Sequence, residues 1–201
     1  MPLNAIAINC TLKKSPASSS CEKLLGQVAD ELRGLGATCD LMRAVDHAIA
    51  PGVTSDEGPG DEWPDLRRRI LAADIVILGT PIWLGHLSSV CQRVLERMDA
   101  FLGELDEGGR MPPYGKVAGV AVVGNEDGAH HVSAELFQAL NDVGFTLPAG
   151  GCTYWVGEAM HKTDFQDLPA TPEKTAQATR ELALNCMHLA RLLRDSPYPP
   201  R

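Results

Sequence analysis

Apolar positions along the chain fall into two alternating patterns, a short near-continuous run and a longer stripe spaced three and four residues apart. The runs are Leu3 to Asn9, Asp74-Ile75-Val76-Ile77-Leu78-Gly79 and Lys116 to Val123. Each has the length of a strand, and the last two are the unbroken apolar type expected of parallel strands buried on both faces. The stripes predict amphipathic helices. One joins Leu24, Leu25, Val28, Ala29, Leu32 and Leu35; a second begins near Leu87 and joins Val90, Cys91, Val94, Leu95, Met98 and Leu102. A third spans about Ala129 to Val143 through Val132, Leu136 and Leu140, and a fourth carries Ala176, Thr179, Ala183, Cys186, Met187, Ala190 and Leu193 towards Arg194.

Weaker signals complete the series. Thr38 to Val45 alternates enough for a second strand near a sheet edge, Trp63 to Ala72 suits a short helix, and Phe145-Thr146-Leu147 supplies a short fifth strand. Gly34 and Gly36 end the first helix, and Thr171 with Pro172 is expected to cap and open the last one. His47 to Gly60 and Gly103 to Gly115, rich in Gly and Pro, read as long surface connections.

Five strands alternating with helices imply right-handed crossovers and a doubly wound parallel sheet with helices on both faces. We expect one domain over residues 1–195 and a Pro-rich tail over 196–201, with no internal repeat. In such sheets a ligand lies outside the carboxyl ends of the strands where strand order reverses. That singles out the loops after Asn9, Gly79 and Val123.

Composition narrows the function classes. At 201 residues, with 44% hydrophobic and 22% charged, the chain can bury a substantial core. The net charge of -8, and no basic run longer than Arg67-Arg68-Arg69, speak against nucleic acid or an anionic membrane as partners. The start of the chain has no basic segment followed by a long apolar one, and no apolar run approaches a membrane span, so the expectation is a cytoplasmic protein. Cys10, Cys21, Cys39, Cys91, Cys152 and Cys186 include no C-x-x-C pair and several sit on apolar stripes. They read as free thiols, with no zinc or iron–sulfur motif among them.

The loop after Asn9 offers Thr11, Lys13, Lys14, Ser15, Ser18, Ser19 and Ser20 just before a helix amino terminus. Hydroxyls, unpaired N–H groups and the positive end of the helix dipole together suit a phosphate. Ser19 with Glu22 also fits a capping box that needs no ligand. The GxxxxGK[ST] and GxGxxG patterns are absent. The loop after the central strand reads Gly79-Thr80-Pro81-Ile82-Trp83-Leu84-Gly85-His86, a turn that joins a buried strand to a helix through Pro, an aromatic and Gly.

On that turn and its flanking strand and helix, from Asp74 to Met98, the chain resembles the flavodoxin-like NAD(P)H-dependent FMN reductases and quinone reductases, whose third strand leads into T-P-x-[YW]-x-G. The likeness extends more loosely through the Ser-rich loop and the loop after Val123. It implies a flavodoxin-like sheet of order 2-1-3-4-5, with FMN as cofactor and NADPH or NADH as electron donor. Lys13, Ser15, Ser18, Ser19 and Ser20 would hold the phosphate, and Pro81, Ile82, Trp83, Leu84 and Gly85 would lie against the isoalloxazine. Such flat apolar contact with a few fixed donors is what a flavin ring needs; the other reading of Trp83 is an ordinary buried aromatic.

Gly124-Asn125-Glu126-Asp127 departs from the Gly-Gly-rich loop of many relatives. Gly124 and Asn125 remain cofactor candidates, while Glu126 and Asp127 fit a solvated loop equally well. Tyr154 and Trp155 suit either a wall near the flavin or an edge-of-core pair. His131 and Glu135, four apart on a helix, share a face, but two ligands do not make a metal site and none is expected. No Ser-His-Asp or Cys-His arrangement is present, and a flavin enzyme requires none. The resemblance therefore predicts hydride transfer from NAD(P)H through FMN to a small acceptor such as a quinone or free flavin, in a homodimer or homotetramer. The alternatives are a flavodoxin-type electron carrier and a cofactor-free interaction module.

Overall fold

A computed structural model describes residues 2–159 and 161–199. Met1, and Pro200 with Arg201 of the expected tail, lie outside the described residues. Strands β1 (Asn4–Asn9), β2 (Thr38–Arg43), β3 (Ile75–Trp83), β5 (Val117–Gly124) and β6 (Cys152–Val156) form a parallel sheet in the order β2-β1-β3-β5-β6. A two-residue strand, β4 (His86–Leu87), folds back antiparallel on β3. Leaving β4 aside, this is the 2-1-3-4-5 winding expected from the sequence, and order reverses between β1 and β3.

Alternation along the strands separates two cores. Ile6, Ile8, Val76, Leu78, Val120 and Val122 face helices α2 (Trp63–Ala72), α3 (Ser89–Met98) and α4 (Ala129–Asp142). Ala5, Ala7, Ile75, Ile77, Ala121 and Val123 face α1 (Ser20–Gly34) and α5 (Glu173–Asp195). The second face is built from smaller residues because α1 and α5 press close. A Cβ on Gly79 would stand 2.5 Å from Leu25, and one on Gly119 2.6 Å from Leu182.

Three expectations are corrected. The fifth strand is Cys152–Val156; of Phe145 to Leu147, Thr146 makes an isolated bridge to Val117. Pro148 then offers no N–H to a ladder and Gly150 turns at φ 62, so the chain leaves the sheet before rejoining it. Central strand β3 runs four residues beyond Gly79, because Pro81 remains extended and pairs with Val123. Pro172 is the cap of α5, while the Thr171 hydroxyl accepts from Gln27 Nε2 at 2.7 Å.

The connection after β2 has an ionic anchor that periodicity could not show. Arg97, on the buried side of α3, pairs with Asp61 at 2.7 Å, both side chains almost wholly enclosed. The same guanidinium donates to the carbonyls of Ala50 and Thr54, and the Asp61 carboxylate accepts from the N–H groups of Ala50, Glu57 and Trp63. An excursion with few apolar residues is thereby fixed to the core.

Candidate functional site

A cleft of about 400 Å³ opens at the carboxyl ends of β1, β3, β5 and β6, where strand order reverses. A cavity of about 500 Å³ lies at the opposite end of the sheet, against the loop from Glu104 to Gly115 that leads into β5.

One wall of the cleft is the Ser-rich loop. Its shape comes from neighbouring elements: Arg43, buried at the end of β2, donates to the carbonyls of Lys13 and Ala17, each at 2.9 Å, and pairs with Glu22. Asn9 Oδ1 accepts from the Thr11 N–H at 3.0 Å, and the Ser88 hydroxyl donates to the Cys10 carbonyl at 2.6 Å, tying this loop to the start of α3. Ser19 is the N-cap of α1, its hydroxyl accepting from the Glu22 N–H at 3.3 Å. The capping box is only half made, since the Glu22 carboxylate turns to Arg43. The first turn of α1 places positive potential at this end of the cleft, and the Arg43–Glu22 pair behind it holds the loop in shape.

The second wall is the end of β3. Pro81, Ile82 and Trp83 line the cleft, with Trp83 52% exposed at its mouth. Beyond Trp83 the chain reverses in two residues, Leu84 and Gly85, with φ values of 53° and 78°. Positive φ at both positions is the type I′ hairpin geometry. The Leu84 N–H donates to Glu126 Oε1 at 2.9 Å, so Glu126 braces the hairpin from the next loop and is more than a solvated charge.

Gly124, Asn125 and Glu126 form the third wall. Asn125 Nδ2 donates to Asp164 at 2.6 Å, whereas its buried Oδ1 has no protein partner. The fourth wall was not foreseen as a unit: Trp155 of β6 and, beyond that strand, His161, Asp164 and Phe165 close the cleft. Phe165 is fully buried against Trp155, and Lys23 of α1 holds its turn by donating to the carbonyls of Phe165, Gln166 and Leu168 at 3.1–3.2 Å. The Ser20 hydroxyl also accepts from the Gln166 N–H at 3.2 Å.

Of the residues expected at the site, Lys13, Ser19, Ser20, Pro81, Ile82, Trp83, Gly124 and Asn125 line one cleft. Ser15, Ser18, Leu84 and Gly85 lie outside its lining. Ser15 is engaged elsewhere, its N–H donating to Asp46 at 2.9 Å and its hydroxyl to the same carboxylate, and these two bonds hold the Asp46 carboxyl below its ordinary pKa. Thr11, Leu12, Cys21 and Val123 join the lining from segments already suspected; His161, Asp164 and Phe165 come from a loop without periodicity and carried no signal. Burial, and then the nearby Cys91, push the Cys21 thiol far up, so it serves as an apolar wall rather than a nucleophile.

Comparison with known proteins finds relatives over nearly the whole chain. A family profile of NADPH-dependent FMN reductases matches residues 3–161. The 8-demethyl-8-aminoriboflavin-5'-phosphate synthase of Streptomyces davaonensis is 32% identical over 98% of this chain and 81% of its own length. The crystal structure of RosB with bound intermediate 8-demethyl-8-formylriboflavin-5'-phosphate superposes with a TM-score of 0.89 at 31% identity, covering 98% of this chain and 82% of that one. A Mycobacterium bovis protein named divalent metal cation transporter MntH is 40% identical over 96% of this chain, which spans only 29% of that protein's length.

Proposed function

The chain belongs to the family of NADPH-dependent FMN reductases, and on that premise we propose that it is an FMN-dependent NAD(P)H oxidoreductase with the flavin seated in this cleft. The supporting observation is the meeting, in one cleft, of a polar helix amino terminus and an apolar strand end. Ser19, Ser20, Lys13 and the first-turn N–H groups of α1 suit the phosphate, with Arg43 behind them. Pro81, Ile82 and Trp83 offer the apolar face a ring system needs, and the unpartnered Asn125 Oδ1 is an acceptor for the ring's N–H edge. Held there, FMN would supply hydride and electron-transfer chemistry between NADH or NADPH and a small acceptor such as a quinone or free flavin. The protein's share is to hold the ring, shield one face from water and leave the other open at Trp83.

The proposal treats residues 1–195 as one FMN-binding unit of a cytoplasmic enzyme. No described helix is long and apolar enough to cross a membrane. Leu84, 89% exposed beside Trp83 on the rim, supports a homodimer or homotetramer in which a second subunit covers that side.

A second reading treats the flavin phosphate as substrate instead of cofactor, and the likeness to the Streptomyces davaonensis synthase over nearly the whole chain favours it. Anaerobic mixing of FMN-loaded protein with NADPH or NADH, followed by addition of a quinone, separates the readings. Bleaching of the flavin absorbance much faster than for free FMN, its return with quinone, and recovery of flavin of unchanged mass support the reductase. No bleaching with either nucleotide contradicts it, and flavin recovered with altered mass after separate incubation in air with an amino donor moves the second reading to the front.

A further inference from the structure

Outside the cleft, behind the β3–β4 hairpin, three side chains converge on one point. His131 and Glu135 lie one turn apart on α4, and His86 is the first residue of β4. His131 Nε2 stands 3.3 Å from His86 Nδ1 and 3.3 Å from Glu135 Oε1, and His86 Nδ1 stands 3.5 Å from the same oxygen. The three atoms therefore form a nearly equilateral triangle.

Hydrogen bonding among the three residues can satisfy only part of this shape. An imidazole nitrogen carries one proton or one lone pair, directed along a single line in the ring plane. Each nitrogen here faces two partners at similar distance, so at most two of the three edges can be good hydrogen bonds. A cation capping the triangle satisfies all three atoms together. Metal bonds of about 2.1 Å at tetrahedral angles separate neighbouring ligand atoms by about 3.4 Å, which is the edge length found here. The rings also stand at 76° to one another, their centroids 5.0 Å apart, so that one point can lie near the plane of both. Glu135 Oε2, buried and without a protein partner, remains free to accept from a metal-bound water or to bind bidentately.

We propose that His86, His131 and Glu135 bind one divalent transition-metal ion of the zinc type, with the remaining coordination positions open to water. Two imidazoles and one carboxylate suit Zn²⁺, Co²⁺ or Fe²⁺, whereas Mg²⁺ and Ca²⁺ want an all-oxygen set. The ion ties the hairpin to α4. His86 stands opposite Trp83 in the β3–β4 ladder, so a metal at His86 stiffens the strand end that lines the cleft. Binding of the ion itself does not depend on flavin and can be tested without it.

The test is titration of untagged, chelator-stripped protein with Zn²⁺ by calorimetry, and with Co²⁺ by visible absorption. One saturable ion per chain is expected, with cobalt bands of a low-coordinate site. His86→Ala, His131→Ala and Glu135→Gln should each weaken binding by at least about tenfold, while His130→Ala, a neighbour outside the triangle, should leave it unchanged. All three side chains are more than a third exposed, so the metal-free variants should melt with the metal-free parent. Zinc should raise the melting temperature of the parent and EDTA reverse the rise. Absence of saturable Zn²⁺ and Co²⁺ binding, or binding that survives all three substitutions, overturns the proposal.

Discussion

Asp61 is a buried carboxyl that the fold holds ionised, so it adds to the protein's sensitivity to acid. Burial alone would raise its carboxyl, but the Arg97 guanidinium and three backbone N–H donors outweigh that and hold it well below the usual carboxylate range. A folded pKa below the unfolded one contributes stability that is complete above about pH 4 and is lost as pH falls towards the folded value. Asp61→Asn leaves Arg97 buried without its counter-ion and should cost about 3 kcal/mol at pH 7 in urea unfolding. Its stability should also fall less than the parent's between pH 5 and pH 3, roughly the span over which ordinary carboxylates protonate. An equal fall in both proteins would assign the acid response elsewhere. Trp83 presents the opposite case: half exposed, it contributes little to folding, and Trp83→Ala should leave the melting temperature nearly unchanged. The same substitution should weaken FMN binding by about tenfold, roughly 1.4 kcal/mol, read from flavin fluorescence.

At the scale of elements, the β3–β4 hairpin joins the cleft to the proposed metal site, and Gly128 fixes its position. A Cβ there would come within 2.8 Å of the Gly85 carbonyl oxygen, at a φ of 131° that side chains rarely adopt. Gly128→Ala should therefore destabilise the protein by about 2 kcal/mol and weaken FMN binding through a displaced Trp83; a variant with parental melting and affinity would show that the hairpin tolerates the shift. Patterns in the sequence carried the elements whose signal is local. The unbroken runs of β3 and β5 and the stripes of α1, α4 and α5 were legible because burial imposes their periods. The hairpin was not, since Leu-Gly lacks the Asn-Gly signature of its turn, and β6 was obscured because an edge strand with exposed Tyr154 breaks the apolar run. Arg97 stayed hidden in a helical stripe because its partner lies 36 residues earlier in a loop without period. The same limit applied to the site: Ser19 and Ser20 open the helix after a strand, Pro81 to Trp83 end one, and both could be placed, while His161, Asp164 and Phe165 reach the cleft only through tertiary contacts.

The whole molecule is a flavodoxin-like sheet whose two faces are both sealed by helices, leaving the strand ends as the place where a ligand can enter. Its cysteines are all free, five of them buried and Cys152 partly so. Burial raises Cys39 and Cys152 to about 11 and Cys186 to about 12, so native protein near pH 8 should resist an aromatic disulfide reagent until unfolded, then release six thiols. FMN binding in the cleft at the strand ends is tested by equilibrium titration of purified protein with FMN beside the Ser20→Asp variant. An aspartate in the first turn of α1 favours the helix through its dipole and can still accept from Gln166, so the variant should fold normally. Saturable binding of one FMN per chain, weakened at least tenfold by the aspartate that would face the phosphate, is the predicted result. Failure of the parent to bind FMN, or equal binding by parent and variant, would contradict it.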